Sequence, residues 1–552
     1  MLKRKIAEII ESCLNAGKER GAIPPDFLVN PIIESPREEG YGDYSTNVAF
    51  FLAPKLRKSP PEIARMLVES MEFDHLCDKV EVAGKGFINF YIKEDAWRQG
   101  LKAVNDSGLE ILFPDVGKGK KALLEFVSSN PTGPLHIGHG RGAAVGDVLS
   151  NLMKKTGYEV AKEYYVNDAG KQIQTLGEST YLRWKEGRGE TVEYGKTLYQ
   201  GDYVKEIAAL IDEKQIPVPE DRDEAIKLMA SFAGDLVMKS IEDDLEAFGV
   251  KFDNYYRESS LFSRGVVQDT LEFLKTKDYA YEKEDALWFR TSLFEKDEDR
   301  VLIKSDGEKT YFASDIAYHR DKLDRGFEML VDIWGSDHHG YIPRMKASLK
   351  ALGRDAEALK VLLIQFVTLL KDGKPVGMST RSGEFTTLKE VLDEVGRDAA
   401  RFFFLMRKSD AHLEFDLDLA KKTSNDNPVY YVQYAHARIE SIFRVAEENG
   451  IDLNDLDRAD VSRLELKEEI NLIRMMLQYY AALEGGARGF EPHRIAFYLL
   501  DLVGKFHSYY NKARVLGEDP DLTLARLLLL KILKAIIKDG LQVLGVSAPE
   551  RM

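Results

Sequence analysis

The 552 residues contain two cysteines, Cys13 and Cys77. That excludes a disulfide framework and a cysteine-built zinc site, and it suits a reducing cytoplasm. Long apolar runs are missing as well. The greasiest stretch, 527–533, is broken by Lys531 and runs on into Lys534 and Lys538, which rules it out as a membrane span. Lys3, Arg4 and Lys5 are followed by Glu8 and Glu11 rather than by an apolar segment, so no signal peptide is expected. There is no internal repeat and no low-complexity tract. A positive balance is absent too: 77 Lys and Arg face 92 Asp and Glu, a net −15 that argues against a general nucleic-acid binder. The deficit is uneven. Residues 421–552 hold 18 Lys and Arg against 19 Asp and Glu, a near balance that leaves room for a local basic face. The rest, 44% hydrophobic and 31% charged, describes a soluble globular chain long enough for several domains.

Residues 1 to about 110 read as a small α+β unit. Leu2, Ile6, Ile9, Ile10 and Leu14 recur at helical spacing. Gly40-Tyr41-Gly42-Asp43-Tyr44 is a turn ahead of the apolar Val48-Ala49-Phe50-Phe51, and 80–82 and 87–91 read as strands around Ala83-Gly84-Lys85-Gly86. Residues 114–121, rich in Gly and Lys, make a linker. The pattern then changes. A buried strand at 122–127, a loop at 128–135, a helix ending at Lys154 or Lys155 before Gly157, and a strand at 159–166 compose a βαβ unit of a parallel sheet. Further strands are expected at 328–334 and 360–370. A long helical stretch from Asn167 to about Thr291 reads as an insertion, and from about Asp416 onward the pattern is helical.

His136-Ile137-Gly138-His139 sits where the first of these strands passes into its helix. In an open α/β sheet that is the edge where ligands bind. Gly138 lets a purine ring or a backbone come close. His136 and His139 can donate hydrogen bonds to phosphate oxygens, and the helix N-terminus adds partial positive charge. Two imidazoles could equally be a helix cap or a pair of metal ligands; the strand–loop–helix setting favours the phosphate. A second loop, Gly377-Met378-Ser379-Thr380-Arg381-Ser382-Gly383, follows the turn Lys371-Asp372-Gly373-Lys374. It is small and polar with one fixed cation, suited to closing over a triphosphate and offsetting transition-state charge.

The first loop resembles the HIGH signature of class I aminoacyl-tRNA synthetases. The whole chain is similar to the bacterial-type arginyl-tRNA synthetase family. The resemblance rests on Gly42-Asp43-Tyr44-Ser45-Thr46-Asn47, on 83–90, on Glu125-Phe126-Val127-Ser128-Ser129-Asn130-Pro131-Thr132, on Val166-Asn167-Asp168-Ala169-Gly170, on 427–438 and on Ser547-Ala548-Pro549-Glu550-Arg551-Met552. It implies an α/β fold in three domains. These are a small N-terminal α+β domain (1–112) that touches the tRNA elbow, a Rossmann-like parallel-sheet catalytic domain (113–415, with the insertion at about 167–291), and an all-helical anticodon-binding bundle (416–552). It implies arginyl-adenylate formation from L-arginine and ATP, with Mg²⁺, then transfer to the 3′ end of tRNA(Arg). The first step is expected to need bound tRNA. A cytoplasmic monomer is expected.

The same resemblance places ATP on His136, Gly138, His139, Met378 and Ser379. A guanidinium substrate calls for carboxylates. Glu258 matches a glutamate that binds it, Asp315 the second acid, and Tyr311 lies one helical turn before Asp315. Ser128 and Asn130 match residues near the α-amino group. His338 or His339, in Trp334-Gly335-Ser336-Asp337-His338-His339-Gly340, is expected to contact substrate, with no metal site implied. One departure stands out: the lysine that usually opens the second motif is Gly377 here, and Thr132-Gly133-Pro134-Leu135 supplies no replacement. Arg381 is the candidate phosphate cation, ahead of Lys374. In the C-terminal region Tyr430, Tyr431, Tyr434, Tyr479, Tyr480 and Arg438 could meet nucleotides or fill the bundle core. Two other readings of the chain are a tRNA-independent nucleotidyltransferase of the His-x-Gly-His type and a non-catalytic tRNA-binding relative.

Overall fold

The computed structural model describes residues 2–29, 31–36, 40–73, 75–376, 386–517 and 519–552. Its first four strands, β1 (Ile33–Glu34), β2 (Tyr44–Thr46), β3 (Cys77–Ala83) and β4 (Phe87–Ile92), form an antiparallel sheet in the order β1-β2-β4-β3. The expected apolar stripe of the helix Leu2–Glu19 is buried. Val48-Ala49-Phe50-Phe51 opens a helix, Val48–Leu56. The β3–β4 hairpin turns at Gly86, whose φ of 120° is closed to most L-residues and where a Cβ would lie 2.7 Å from the Pro60 carbonyl carbon.

The central sheet is parallel. It takes β5 (Lys121–Glu125), β6 (Glu159–Val166) and β7 (Asn254–Arg257) from the first half of the catalytic region. A small antiparallel sheet, β8 (Ala280–Lys283), β9 (Ala286–Phe289) and β10 (Arg300–Ile303), comes next and was not expected. Then β11 (Met329–Gly335) and β12 (Leu359–Ile364) complete the order β12-β11-β5-β6-β7. The stretch expected to be a helical insertion is therefore mixed. Its helices Lys171–Gly187, Asp202–Glu213 and Arg222–Ala247 are followed by β7, an edge strand of the central sheet.

The strand expected at 360–370 is two. β12 ends at Ile364, because the Gln365 N–H leaves the ladder for the Ser409 carbonyl (2.9 Å) and the Gln365 carbonyl accepts from Arg141 (2.8 Å). The chain then enters a fourth sheet, β13 (Val367–Lys371), β14 (Lys374–Pro375) and β15 (Leu413–Asp416), in the order β14-β13-β15. Asp372 and Gly373, at φ 52° and 67°, make the two-residue turn between β13 and β14. Among the described residues no strand follows β15, and no helix is long and apolar enough to cross a membrane.

The helix Ile137–Lys155 lies at the centre and is buried on nearly every side. Small residues allow this: a Cβ on Gly146 would come within 2.3 Å of the Phe126 ring. Two of its charged residues, Asp147 and Lys155, are paired. Arg401, fully buried, donates to Asp147 Oδ2 (2.5 Å), to the Leu544 carbonyl (2.9 Å) and to the Phe248 carbonyl (3.2 Å). Lys155 reaches Asp539 at 2.5 Å. The C-terminal helix Pro520–Leu544 is thus bonded directly to the helix that begins at His136.

Candidate active site

Every candidate segment of the catalytic region that is described follows the carboxyl end of a parallel strand or packs against one. β5 stops at Glu125 because Val127 and Ser128 adopt left-handed backbone, at φ 66° and 42°. Two such residues in a row are strained, and strain of this kind collects at functional loops. Their effect is to turn Ser128 back over the sheet. Its hydroxyl donates to Glu125 Oε1 (3.0 Å) and accepts from the Tyr165 N–H (3.1 Å).

His136 is the N-cap of its helix. Its Nδ1 accepts from the N–H groups of Gly138 (3.1 Å) and His139 (3.4 Å), and His139 Nδ1 accepts from the His136 N–H (3.3 Å). The rings stack at 3.6 Å, 18° from parallel. Burial lowers the pKa of both; that of His139 falls to about 3, with a further push from His136. Both imidazoles are therefore neutral, and with Nδ1 engaged as acceptor the proton belongs on Nε2. Gly138 has a role that differs from the expected one. A Cβ there would meet His136's own ring at 2.9 Å, so the glycine makes room for the cap rather than only for a ligand. Residues that follow the second loop lie against the first: Thr387 forms a bridge with His136, and the Leu388 N–H donates to the Leu135 carbonyl at 2.8 Å. Met378, Ser379 and Arg381 lie outside the described residues.

Glu258 and Asp315 come from different elements and lie close enough to act on each other and on Tyr165, with the space between them called the slot below. Glu258 opens the short helix Glu258–Ser263 after β7, and Asp315 sits in the first turns of Tyr311–Asp324. Burial raises the Glu258 pKa to about 7, and the nearby carboxylates of Asp315 and Asp168 push the same way against a lowering by the Ser314 and Tyr165 hydroxyls. Burial also raises Asp315, while the Tyr341 hydroxyl, which donates to Asp315 Oδ2, lowers it. The Asn167 amide, turned so that its nitrogen donates, reaches Glu258 Oε2 at 2.8 Å, and it lies 3.3 Å from the Asn130 amide. Asn130 in turn donates to Gln172 at 2.6 Å. Ser128, Asn130, Glu258 and Asp315 are thus brought together. Tyr311 stands at the rim, exposed, with its hydroxyl opposite Gly170. His338 and His339 are exposed on the 3₁₀ turn Ser336–Tyr341; they reach the slot only through Tyr341 of the same turn.

Several participants were missed. Asp168 accepts from the Ser259 N–H (2.9 Å) and hydroxyl (2.7 Å), which anchors the helix that Glu258 begins. Beneath the slot lies a buried ionic layer. Lys322 donates to Glu125 (2.5 Å) and Asp332 (3.0 Å), and His319 bridges Asp332 (2.8 Å) and the Asp315 carbonyl (2.8 Å). Burial opposes the charge on Lys322, but the two carboxylates hold its pKa above the ordinary range. Asp332 is likewise held low by Lys322 and His319 against burial. The layer ends in Arg325, bidentate on Glu163 at 2.7 Å twice. The only sequence signal was the Asp and Lys density of 315–325, which a solvated helix face would share.

Beside the slot, a cleft of about 620 Å³ runs between the helices Lys171–Gly187 and Arg222–Ala247, lined in part by Pro131, Asp168 and Arg257. In the C-terminal bundle the aromatics divide. Tyr479 is core, donating to Asp539 at 2.6 Å. Tyr430 and Tyr434 stack at 5.9 Å, and Arg438 lies over Tyr434 and Tyr510. Tyr434, Arg438, Arg444, Arg514 and Arg551 line a cavity of about 890 Å³, the local basic face that the charge balance left room for.

Three family models match the chain. Residues 1–92 match the arginyl tRNA synthetase N terminal domain, 109–418 the tRNA synthetases class I (R) catalytic domain, and 432–552 the DALR anticodon binding domain. The arginine–tRNA ligase of Geobacter sp. (strain M21) is 51% identical, with 100% of this chain and 99% of that one covered. The arginine–tRNA ligase of Citrifermentans bemidjiense is 50% identical over the same shares. The solved structure of Thermus thermophilus arginyl-tRNA synthetase covers 100% of both chains with a TM-score of 0.78 at 24% identity, a likeness of fold.

Proposed function

The chain belongs to the arginyl-tRNA synthetase family, and from that premise we propose how its site joins arginine to tRNA. Arginine lies with its guanidinium between Glu258 and Asp315, Tyr311 closing the rim, and its α-amino group toward Ser128 and Asn130. ATP lies along the N-terminus of the helix Ile137–Lys155, its phosphate oxygens accepting from His136 and His139 Nε2–H. Met378, Ser379 and Arg381 complete the phosphate site from the second loop, and His338 or His339 contacts substrate beside Tyr341. An arginine carboxylate oxygen attacks the α-phosphorus, the bond to the bridging oxygen of the β-phosphate breaks, and pyrophosphate leaves. The terminal ribose hydroxyl of tRNA(Arg) then attacks the carbonyl carbon, and AMP leaves. The enzyme's contribution is positioning and charge stabilisation, with no covalent nucleophile.

One observation carries this reading: two acids from separate elements, Glu258 after β7 and Asp315 in the helix Tyr311–Asp324, lie close enough for one to raise the other's pKa, and Glu258 follows the carboxyl end of a strand in the sheet from which the His136 loop also leaves. A cation with planar donors is the ligand that such a pair favours. A guanidinium beside Glu258 would favour its ionised form against the burial that raises its pKa, which suits an acid built around a cation rather than around water. Mg²⁺ would arrive on the triphosphate; the described residues include no cluster of three or more His, Cys, Asp or Glu able to hold a metal.

The same proposal divides the chain at about 1–112, 113–415 and 416–552, which the bounds of the three family matches support. The last part meets the anticodon region, supported by the arginine-lined cavity beside Tyr434. The first part meets the tRNA elbow, and the cleft beside Asp168 is the approach for the 3′ end. A cytoplasmic monomer is the working state; the two cysteines are free thiols, which suits a reducing compartment. The full-length likeness to arginine–tRNA ligases favours neither the small nucleotidyltransferase nor the inactive binder. Arginine-dependent exchange of pyrophosphate into ATP, run with and without tRNA, tests the reading. Exchange that appears only with tRNA supports it. Exchange without tRNA points to the nucleotidyltransferase, and none in either case to the binder.

A further inference from the structure

Tyr165 has a buried hydroxyl that makes no well-formed hydrogen bond among the described residues, although it stands close enough to Glu258 to lower that acid's pKa. It is the seventh residue of β6, and its backbone N–H is held by Ser128. Its ring is wedged between Tyr318 (4.5 Å between centroids) and Tyr256 (6.4 Å, 12° from parallel). Those neighbours set the ring's direction and keep the hydroxyl from swinging out to water. A buried hydroxyl left without a well-formed hydrogen bond costs up to about 1–3 kcal/mol, and native proteins rarely tolerate it without a use.

The surroundings indicate the use. Burial, then the charges of Glu258, Asp315 and Glu125, hold the phenol protonated far above its usual range. Most of the neighbouring acid oxygens already have a donor. Asp315 Oδ2 takes the Tyr341 hydroxyl, Glu258 Oε2 takes the Asn167 amide, and Glu125 takes Ser128 and Lys322. A guanidinium brings five N–H donors in a fixed fork, one more than the four oxygens of two carboxylates. A hydroxyl between the acids can accept one N–H and give its own proton to a carboxylate at the same time. A compact ammonium cannot span all three partners at once.

We propose that Tyr165 is a specificity-determining residue for arginine, its buried hydroxyl accepting a guanidinium N–H while donating to Glu258, and its ring forming a wall of the slot. This rests on the reading of Glu258 and Asp315 as the guanidinium site. Tyr165→Phe in the full-length chain tests it, since the ring and its packing are kept. With tRNA and ATP saturating, the arginine KM should rise about tenfold to a hundredfold, as expected for a lost hydrogen bond to a charged group. The ATP KM should stay within about twofold, and so should the inhibition constant of lysine. Added to Glu258→Gln, Tyr165→Phe should change the arginine KM by no more than about twofold, because the two act on one group. An arginine KM that Tyr165→Phe leaves within twofold, while Glu258→Gln raises it more than a hundredfold, overturns this inference and spares the reading beneath it. Equal rises for arginine and ATP overturn it as well, since they report a general loss of the site. A silent Glu258→Gln overturns both.

Discussion

Glu258→Gln should stabilise the empty enzyme while removing its affinity for arginine. The carboxyl's pKa is lifted from an ordinary 4.5 to about 7 by burial, with Asp315 and Asp168 adding to it. A group whose pKa is raised on folding contributes stability that is complete below its unfolded value and is lost as the pH climbs through its folded value. At pH 8 the ionised, unpaired acid therefore costs the folded state about 3 kcal/mol relative to the unfolded chain, and at pH 5 under about 1 kcal/mol. Glutamine keeps the shape and hydrogen bonds of the protonated acid and has nothing to ionise. The variant should melt about 3 °C above the parent at pH 8 without ligands and within about 1 °C of it at pH 5. Saturating arginine should narrow the pH 8 difference, because the guanidinium stabilises only the parent. Differential scanning fluorimetry across pH 5 to 9, with and without arginine, measures all of this. A variant less stable than the parent at pH 8, or a difference that does not move with pH, would refute the account of the slot as an acid held ready for a cation.

Two further substitutions separate roles that share a residue. His136→Asn keeps a good N-cap but removes the Nε2 donor, so pyrophosphate exchange should fall about a hundredfold with tRNA affinity unchanged, while His136→Ala should also lose about 1 kcal/mol of stability. Equal losses of exchange and tRNA binding would remove His136 from the phosphates. Lys322→Met leaves Glu125 and Asp332 buried without their cation and should cost about 3–5 kcal/mol in urea unfolding; a cost below about 1 kcal/mol would mean the ionic layer is hydrated.

Much of the fold was legible because local pattern and tertiary demand agree. The strand expected at 122–127 stops two residues early, at Glu125, but the helix to Lys155 and the strand to Val166 stand where periodicity puts them. β7 was not legible: Asn254-Tyr255-Tyr256-Arg257 is four residues with no alternation, and only its pairing with β6 makes it a strand. The split between β12 and β13 was hidden for a related reason. The apolar run continues through Phe366, and the groups that draw Gln365 out of the ladder, Ser409 and Arg141, lie far from it in the chain.

The site divides along the same line, and His136 shows why. In the sequence, a helix cap and a phosphate donor are competing explanations of one imidazole. In the fold they are a single arrangement. Capping occupies Nδ1, burial keeps the ring neutral, and the two together put the proton on Nε2. Glu258 follows the same logic with the opposite sign. Its residue type is visible in any reading of the chain, but a solvated glutamate and one with a pKa of about 7 differ only in neighbours such as Asp315 and Asn167 that chain position does not reveal. Residue identity names the possible chemistries, and packing selects the protonation state that makes one of them work. That is also why Tyr165, unremarked in an aromatic-rich strand, becomes informative once its hydroxyl is seen to be buried among three acids without a well-formed hydrogen bond.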